Sequence, residues 1–191
     1  LQKFNDKKLT EKYLDKWNTL YPIDTYVQSE KDGNPYRENY KGLDKMQFPY
    51  DLKALKKANG LGLIRSTPFG NTITKDIAIE IIDNEKLGQN AKGVTDFLAV
   101  SFSSTDYVGH QFSPNTIEAE DTYLRLDKDL EQLFTHLDQK VGKGEYLVFL
   151  TADHGGAHNP KYFQDKKGNA GYFPTGDVKK ALNAELQKEF K

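Results

Sequence analysis

Asp96-Phe97-Leu98-Ala99-Val100-Ser101-Phe102, followed at once by Ser103-Ser104-Thr105-Asp106-Tyr107-Val108-Gly109-His110, decides how this chain is read. An almost continuously apolar run of this length is what a strand buried on both faces shows. The polar stretch after it then begins at the strand's carboxyl end. The arrangement recurs downstream, where the apolar run Tyr146 to Thr151 leads into Ala152-Asp153-His154-Gly155-Gly156. Between the two, residues 116 to 141 carry Tyr123, Leu126, Leu130, Leu133, Phe134 and Leu137 at helical spacing, with Pro114 ahead and Gly142 behind. Strand, helix, strand is a βαβ unit, which predicts two parallel strands joined by a right-handed crossover. The expected fold class is therefore α/β, with a mainly parallel sheet.

Working outward, Tyr13, Leu14, Trp17 and Leu20 predict a helix over about residues 10–21, which Pro22 stops. Turn formers and aromatics then dominate to Tyr50, and residues 22–59 are expected to form an irregular surface or cap-like segment with a short helix at 51–58. Its aromatics could line a cleft or simply pack a loop against the body. Asn71 or Thr72 is a candidate cap for a helix carrying Ile73, Ile77, Ile81 and Ile82 and ending near Gly88. Residues 60–160 are expected to form the core that carries the site. Residues 161–191 read as a loop and a C-terminal helix with Val178, Leu182, Leu186 and Phe190 on one face. The whole is expected to be one incomplete α/β domain over 1–191.

Composition narrows the classes. The 191 residues carry 37% hydrophobic and 29% charged residues, with a formal net charge of -1. The pI near 6.5 and the mean hydropathy of -0.75 give no nucleic-acid footprint and no basic membrane patch. No apolar stretch approaches the length of a membrane span. The absence of cysteine excludes disulfides, thiolate ligands and a thiol nucleophile. The opening residues do not read as a signal peptide, and a first residue of Leu rather than Met leads to the expectation that upstream residues have been removed.

Chemistry concentrates in two Asp/His pairs. Asp106 and His110 are four residues apart, so one helical turn or a tight loop aims both at one point. Asp153 and His154 are adjacent and would face opposite ways in a regular strand; Gly155-Gly156 makes the necessary turn easy. Carboxylate oxygens beside imidazole nitrogens are a ligand set for a divalent transition metal, zinc first. In open α/β sheets, ligands bind beyond the carboxyl ends of strands, where both pairs fall. Two neighbouring metals are a common device for clamping the attacking and leaving oxygens of a phosphate ester. Taken singly, Asp153 could cap a loop and His154 could be an ordinary loop histidine. His136, beside the helical stripe, reads as a solvated or half-buried helix residue. His158 is near enough in sequence to touch substrate or a further ion.

The segments SFSSTDYVGHQFSP (101–114), YLRLDKDLEQLFTHLDQKVG (123–142), FLTADHGG (149–156) and STPFGNTITKDIAIEIIDNEKLGQ (66–89) together resemble the alkaline-phosphatase superfamily. The resemblance is to phosphate-irrepressible bacterial alkaline phosphatases and type I phosphodiesterase/nucleotide pyrophosphatases. It implies a three-layer alkaline-phosphatase-like core, incomplete in this chain, and a phosphoric-ester hydrolase acting through a phospho-enzyme. It also implies two zinc ions in the full-length enzyme, with Asp106 and His110 on one and Asp153 and His154 on the other. The nucleophilic Thr or Ser would lie upstream of Leu1 and a further His downstream of Lys191; Thr67, Thr72, Thr105 and Thr151 are not assigned that role. With half of each ligand set present, the isolated chain is expected to be inactive and to hold metal weakly or not at all. The implied partners are a small phosphate-ester substrate and the rest of the parent polypeptide, in a periplasmic or secreted protein. Mutases of the phosphoglycerate and phosphopentose kind, sulfatases and a non-catalytic binding module are the alternatives.

Overall fold

A computed structural model describes residues 2–91 and 93–190, which form two compact units, one ending at Ala157 and the other beginning at His158. The first unit is built around aromatic side chains. Trp17 is wholly buried and meets Phe48, Tyr50 and Phe112 at ring separations of 5.3, 5.5 and 5.9 Å. Tyr40 joins them, 5.5 Å from Phe112 and nearly perpendicular to it, an arrangement that sets ring edges against ring faces. Leu14, Met46, Leu52, Leu63, Ile64 and Val108 fill the space around these rings.

Helices α1 (Gln2–Asn5) and α2 (Leu9–Tyr13) open the chain. The helix expected over 10–21 ends early, because Trp17 belongs to strand β1 (Lys16–Trp17), paired antiparallel with β2 (Tyr50–Asp51). Tertiary bonding overrides the helical spacing here. The Trp17 indole N–H and the Leu20 amide both donate to Asp121, at 2.7 and 2.6 Å. The carboxylate of Asp51 accepts from the Ala54 amide and caps α3 (Leu52–Asn59), which buries Leu52 and Leu55. The aromatics of the irregular 22–50 region thus supply much of the core.

Helix α4 (Phe69–Glu85) packs on α6 (Ile117–Leu137), with Ala78, Ile82 and Leu133 buried between them. Thr116 caps α6, and a π-helical turn, Asp138–Gly142, carries it to the glycine at which the sequence ends it. Beside this pair, Leu98, Val100 and Phe102 pack inward while Phe97, Ala99 and Ser101 face out, Phe97 being 80% exposed. The alternation is that of a strand covered on one face.

The mainly parallel sheet expected from 96–102 and 146–151 is not formed among the described residues, where β1 and β2 are the only paired strands. The physical reason lies in what the two runs lack. A ladder needs a partner backbone within about 5 Å, and neither run is given one. Leu147, Phe149 and Leu150 are correspondingly exposed. In the second unit, α7 (Pro160–Asp165) is capped by Asn159, and α8 (Thr175–Glu189) leaves Val178, Leu182 and Leu186 exposed.

Candidate metal centre

Helix α5 (Ser104–Phe112) follows the first apolar run and sorts its side chains by face. Ser104, Val108 and Phe112, at four-residue spacing, are buried against the aromatic core. Asp106 and His110 share the opposite, solvent-facing side. The start of α5 is fixed by α4 rather than by its own residues. Asn71 is buried, accepts from the Ser104 amide at 3.2 Å and donates to Thr105 Oγ1 at 2.9 Å. Sequence reasoning placed Asn71 as a cap for α4; it caps the neighbouring helix instead. Gly70 makes this possible, since a Cβ there would lie 2.0 Å from Ser104 Oγ and 3.0 Å from the Ile64 carbonyl.

The second motif loop is held against α5 in a similar way. A Cβ on Gly156 would meet Pro114 at 3.0 Å, so a glycine lets the 153–156 loop run close past the end of α5. That approach delivers His154. Its Nε2 lies 3.4 Å from Asp106 Oδ1, while His110 Nε2 lies 3.2 Å from the same oxygen. The two imidazole rings are 5.5 Å apart, and one donor atom from each of Asp106, His110 and His154 lies within 4.8 Å of the others. Asp153 stands at the edge of this trio, its side chain 87% exposed, with Oδ2 3.8 Å from His154 Nε2. The resemblance pairs His154 with Asp153; the geometry also brings it to Asp106.

The donor set fits a divalent metal on its own chemistry. Tetrahedral zinc with ligands about 2.0–2.1 Å away separates those ligands by about 3.3 Å. Asp106 Oδ1 and His110 Nε2, the pair assigned to one ion, are 3.2 Å apart, and His154 Nε2 adjoins them at 3.4 Å from the same oxygen. His154 Nδ1 lies 3.1 Å from the Gly155 carbonyl, which can only accept. The proton therefore sits on Nδ1, and the lone pair on Nε2 faces Asp106 Oδ1. Two lone pairs at this distance repel unless a proton or a cation lies between them. The same forces raise the His154 pKa: the Gly155 carbonyl first, then the Asp153 charge, with Asp106 adding to both.

The remaining candidates find other work. His136 Nε2 is 3.0 Å from Asp83 Oδ1, a link between α6 and α4. His158 stacks on Tyr162 at 5.0 Å within the second unit. Among the threonines, Thr67 and Thr151 donate to the carbonyls of Ile64 and Ala152, Thr72 donates to Asp129, and Thr105 accepts from Asn71. A cavity of about 310 Å³ lies elsewhere, along Lys41–Leu43, Tyr50 and Ala58, away from the trio.

The family model for type I phosphodiesterase/nucleotide pyrophosphatase matches residues 7–180. The chain belongs to that family. It is 57% identical over 188 residues to a protein of Myroides odoratus named calcium-transporting ATPase, covering 98% of this chain and 34% of that protein. It is 54% identical over 164 residues to the alkaline phosphatase PhoV of Synechococcus elongatus, covering 85% and 29%. It is 49% identical over 189 residues to the alkaline phosphatase PafA of Elizabethkingia meningoseptica, covering 98% and 34%. A crystal structure of alkaline phosphatase PafA superposes with a TM-score of 0.87 at 46% identity, over 99% of this chain and 36% of that one. The fold is thus alkaline-phosphatase-like α/β, although most of its strand pairing is missing among the described residues. The chain spans about a third of the length of the relatives it matches.

Proposed function

We propose that this chain is the central, metal-binding part of a phosphoric-ester hydrolase that uses two zinc ions. One observation carries the reading: Asp106 and His110 on helix α5 and His154 on the second motif's loop converge within 4.8 Å. Asp106 and His110 would hold one ion, and Asp153 and His154 the other. Asp106 Oδ1, which faces both imidazoles, would hold the first ion on the side nearest the second. The ions, when bound, lower the pKa of a hydroxyl or water and screen charge on the transferring phosphoryl group.

The chain's own residues supply orientation. Asn71 and the buried face of α5 fix where Asp106 and His110 point, and the Gly155 carbonyl holds His154 in the tautomer whose Nε2 can coordinate. The nucleophile of the phospho-enzyme step would be a Thr or Ser in the parent's sequence ahead of Leu1. The relatives' length, about three times that matched here, leaves room for it. The substrate would be a small phosphate mono- or diester, and the protein periplasmic or secreted. Relatives named alkaline phosphatases favour hydrolysis over mutase or sulfatase chemistry. No helix among the described residues is long and apolar enough to cross a membrane.

The test is metal removal from the full-length parent. Chelation followed by dialysis should abolish hydrolysis of 4-nitrophenyl phosphate, and zinc should restore it at two ions per chain. Undiminished turnover after the metal is gone would overturn the reading.

A further inference from the structure

Arg65 is the one arginine among the chain's three that has no carboxylate partner among the described residues. Arg37 lies 2.6 Å from Glu118, and Arg125 lies 2.7 Å from Asp121. Arg65 stands on the 3-10 turn Leu61–Ser66, which packs against α5, and its side chain is exposed. Its guanidinium carbon lies 5.1 Å from the centre of the Tyr107 ring. Its Nη1 is 3.4 Å from the Tyr107 hydroxyl, and its Nε donates to the Gly62 carbonyl at 3.4 Å. These contacts hold the group in place while leaving its charge uncompensated.

The location gives that charge a use. Tyr107 follows Asp106, and at about 100° per residue it stands about 60° around α5 from His110. Side chains three apart on a helix have Cβ atoms about 5–6 Å apart. The guanidinium is therefore held at the flank of the face that carries Asp106 and His110. An arginine fork free of protein carboxylates matches two oxygens of a carboxylate or phosphate.

We infer that Arg65, held by Tyr107, is a specificity-determining contact that selects phosphate esters whose leaving group carries a further negative charge. The inference rests on the hydrolase reading proposed above. Phenyl phosphate and 4-carboxyphenyl phosphate, offered to the full-length parent, differ only in that charge. The wild-type enzyme should favour the carboxylated ester about tenfold in kcat/KM, the worth of one charge-assisted contact, and added salt should shrink the preference. Arg65→Ala should bring the ratio to about one through the KM of the carboxylated ester, with phenyl phosphate unaffected. Arg65→Lys should keep part of the preference, and Tyr107→Leu should weaken it by freeing the guanidinium. A merely structural role for Arg65 would slow both esters alike. That result, an unchanged ratio in Arg65→Ala, or a wild-type enzyme without preference would overturn the inference. Hydrolysis of neither ester by the metal-loaded wild type would instead remove the reading beneath it.

Discussion

Asp121 is the anchor by which the N-terminal 30 residues hold to α6, and Asp121→Asn tests that role without changing the side chain's shape. Its Oδ1 accepts from the Leu20 amide at 2.6 Å and the Tyr26 hydroxyl at 2.5 Å; its Oδ2 accepts from the Trp17 indole and Arg125 Nε, both at 2.7 Å. An asparagine has one oxygen for four donors. With its amide nitrogen at the Oδ2 position, it would face two N–H groups that cannot turn away. At the Oδ1 position it strands the Leu20 amide, but the Tyr26 hydroxyl can rotate and accept. The second arrangement is the cheaper one. It leaves one N–H unsatisfied at about 1–3 kcal/mol and weakens two charge-assisted bonds by about 0.5–1 kcal/mol each, about 3 kcal/mol in all. Asp121→Ala should cost about 4–5 kcal/mol, as for loss of one member of a buried charged network. Trp17, the only tryptophan, reports the transition by its emission. With a urea m-value of about 2 kcal/mol/M, the midpoint should fall by about 1.5 M in Asp121→Asn. A shift under about 0.5 M at unchanged m-value would correspond to about 1 kcal/mol and refute the four-donor argument.

Alkaline pH should destabilise the fold. Burial, followed by the bonds to Asp76 and Asp121, pushes Tyr13 and Tyr26 up to about 12 from 10.0, and burial raises Tyr40 and Tyr50 as well. Because the folded state holds these protons more tightly, their contribution is complete below pH 10 and is lost as pH climbs towards 12. Denaturation midpoints that stay flat from pH 9 to 11.5 would contradict this. Arg37→Met should cost about 3–5 kcal/mol, because it leaves Glu118 buried without its cation. Arg37→Met with Glu118→Gln should recover part of that, and a double-mutant cycle in urea measures how much. Phe112→Ala, at the centre of the ring cluster and on the buried face of α5, should cost about 3–5 kcal/mol. It should also weaken zinc binding in the parent, read by titration, since Asp106 and His110 ride on that helix.

What could be read in advance, and what could not, divides along local and non-local lines. The 3.6-residue period placed α4, α6 and α8 within a few residues, because their apolar stripes, and for α4 and α6 the glycines beyond their ends, are written locally. The two Asp/His motifs were legible for the same reason, each being a short signature behind an apolar run. Trp17 misled, because helical spacing from Tyr13 onward carries no sign of the Asp121 carboxylate more than a hundred residues away. Asn71 looked like a cap for its own helix, and only the close approach permitted at Gly70 shows which helix it caps. The composition of the run 96–102 predicts cover on both faces, but α4 and α6 cover just one. Strands pair through their edges, so further strands of an alkaline-phosphatase-like sheet would lie beside the 96–102 and 147–150 runs, with a second layer of helices over their open faces. Arg65 carried no sequence signal, since an unpaired guanidinium is visible only once its neighbours are placed.

The most direct measurement is the hydrolysis rate of 4-nitrophenyl phosphate by the full-length parent with Asp106→Asn, alongside its zinc content. Asparagine keeps the shape but removes the charge that faces both imidazoles. The account predicts that at least one zinc per chain is lost and that the rate falls by about 10³-fold or more, the scale on which removal of charge stabilisation from a transition state is felt. Full zinc content with wild-type turnover would contradict it.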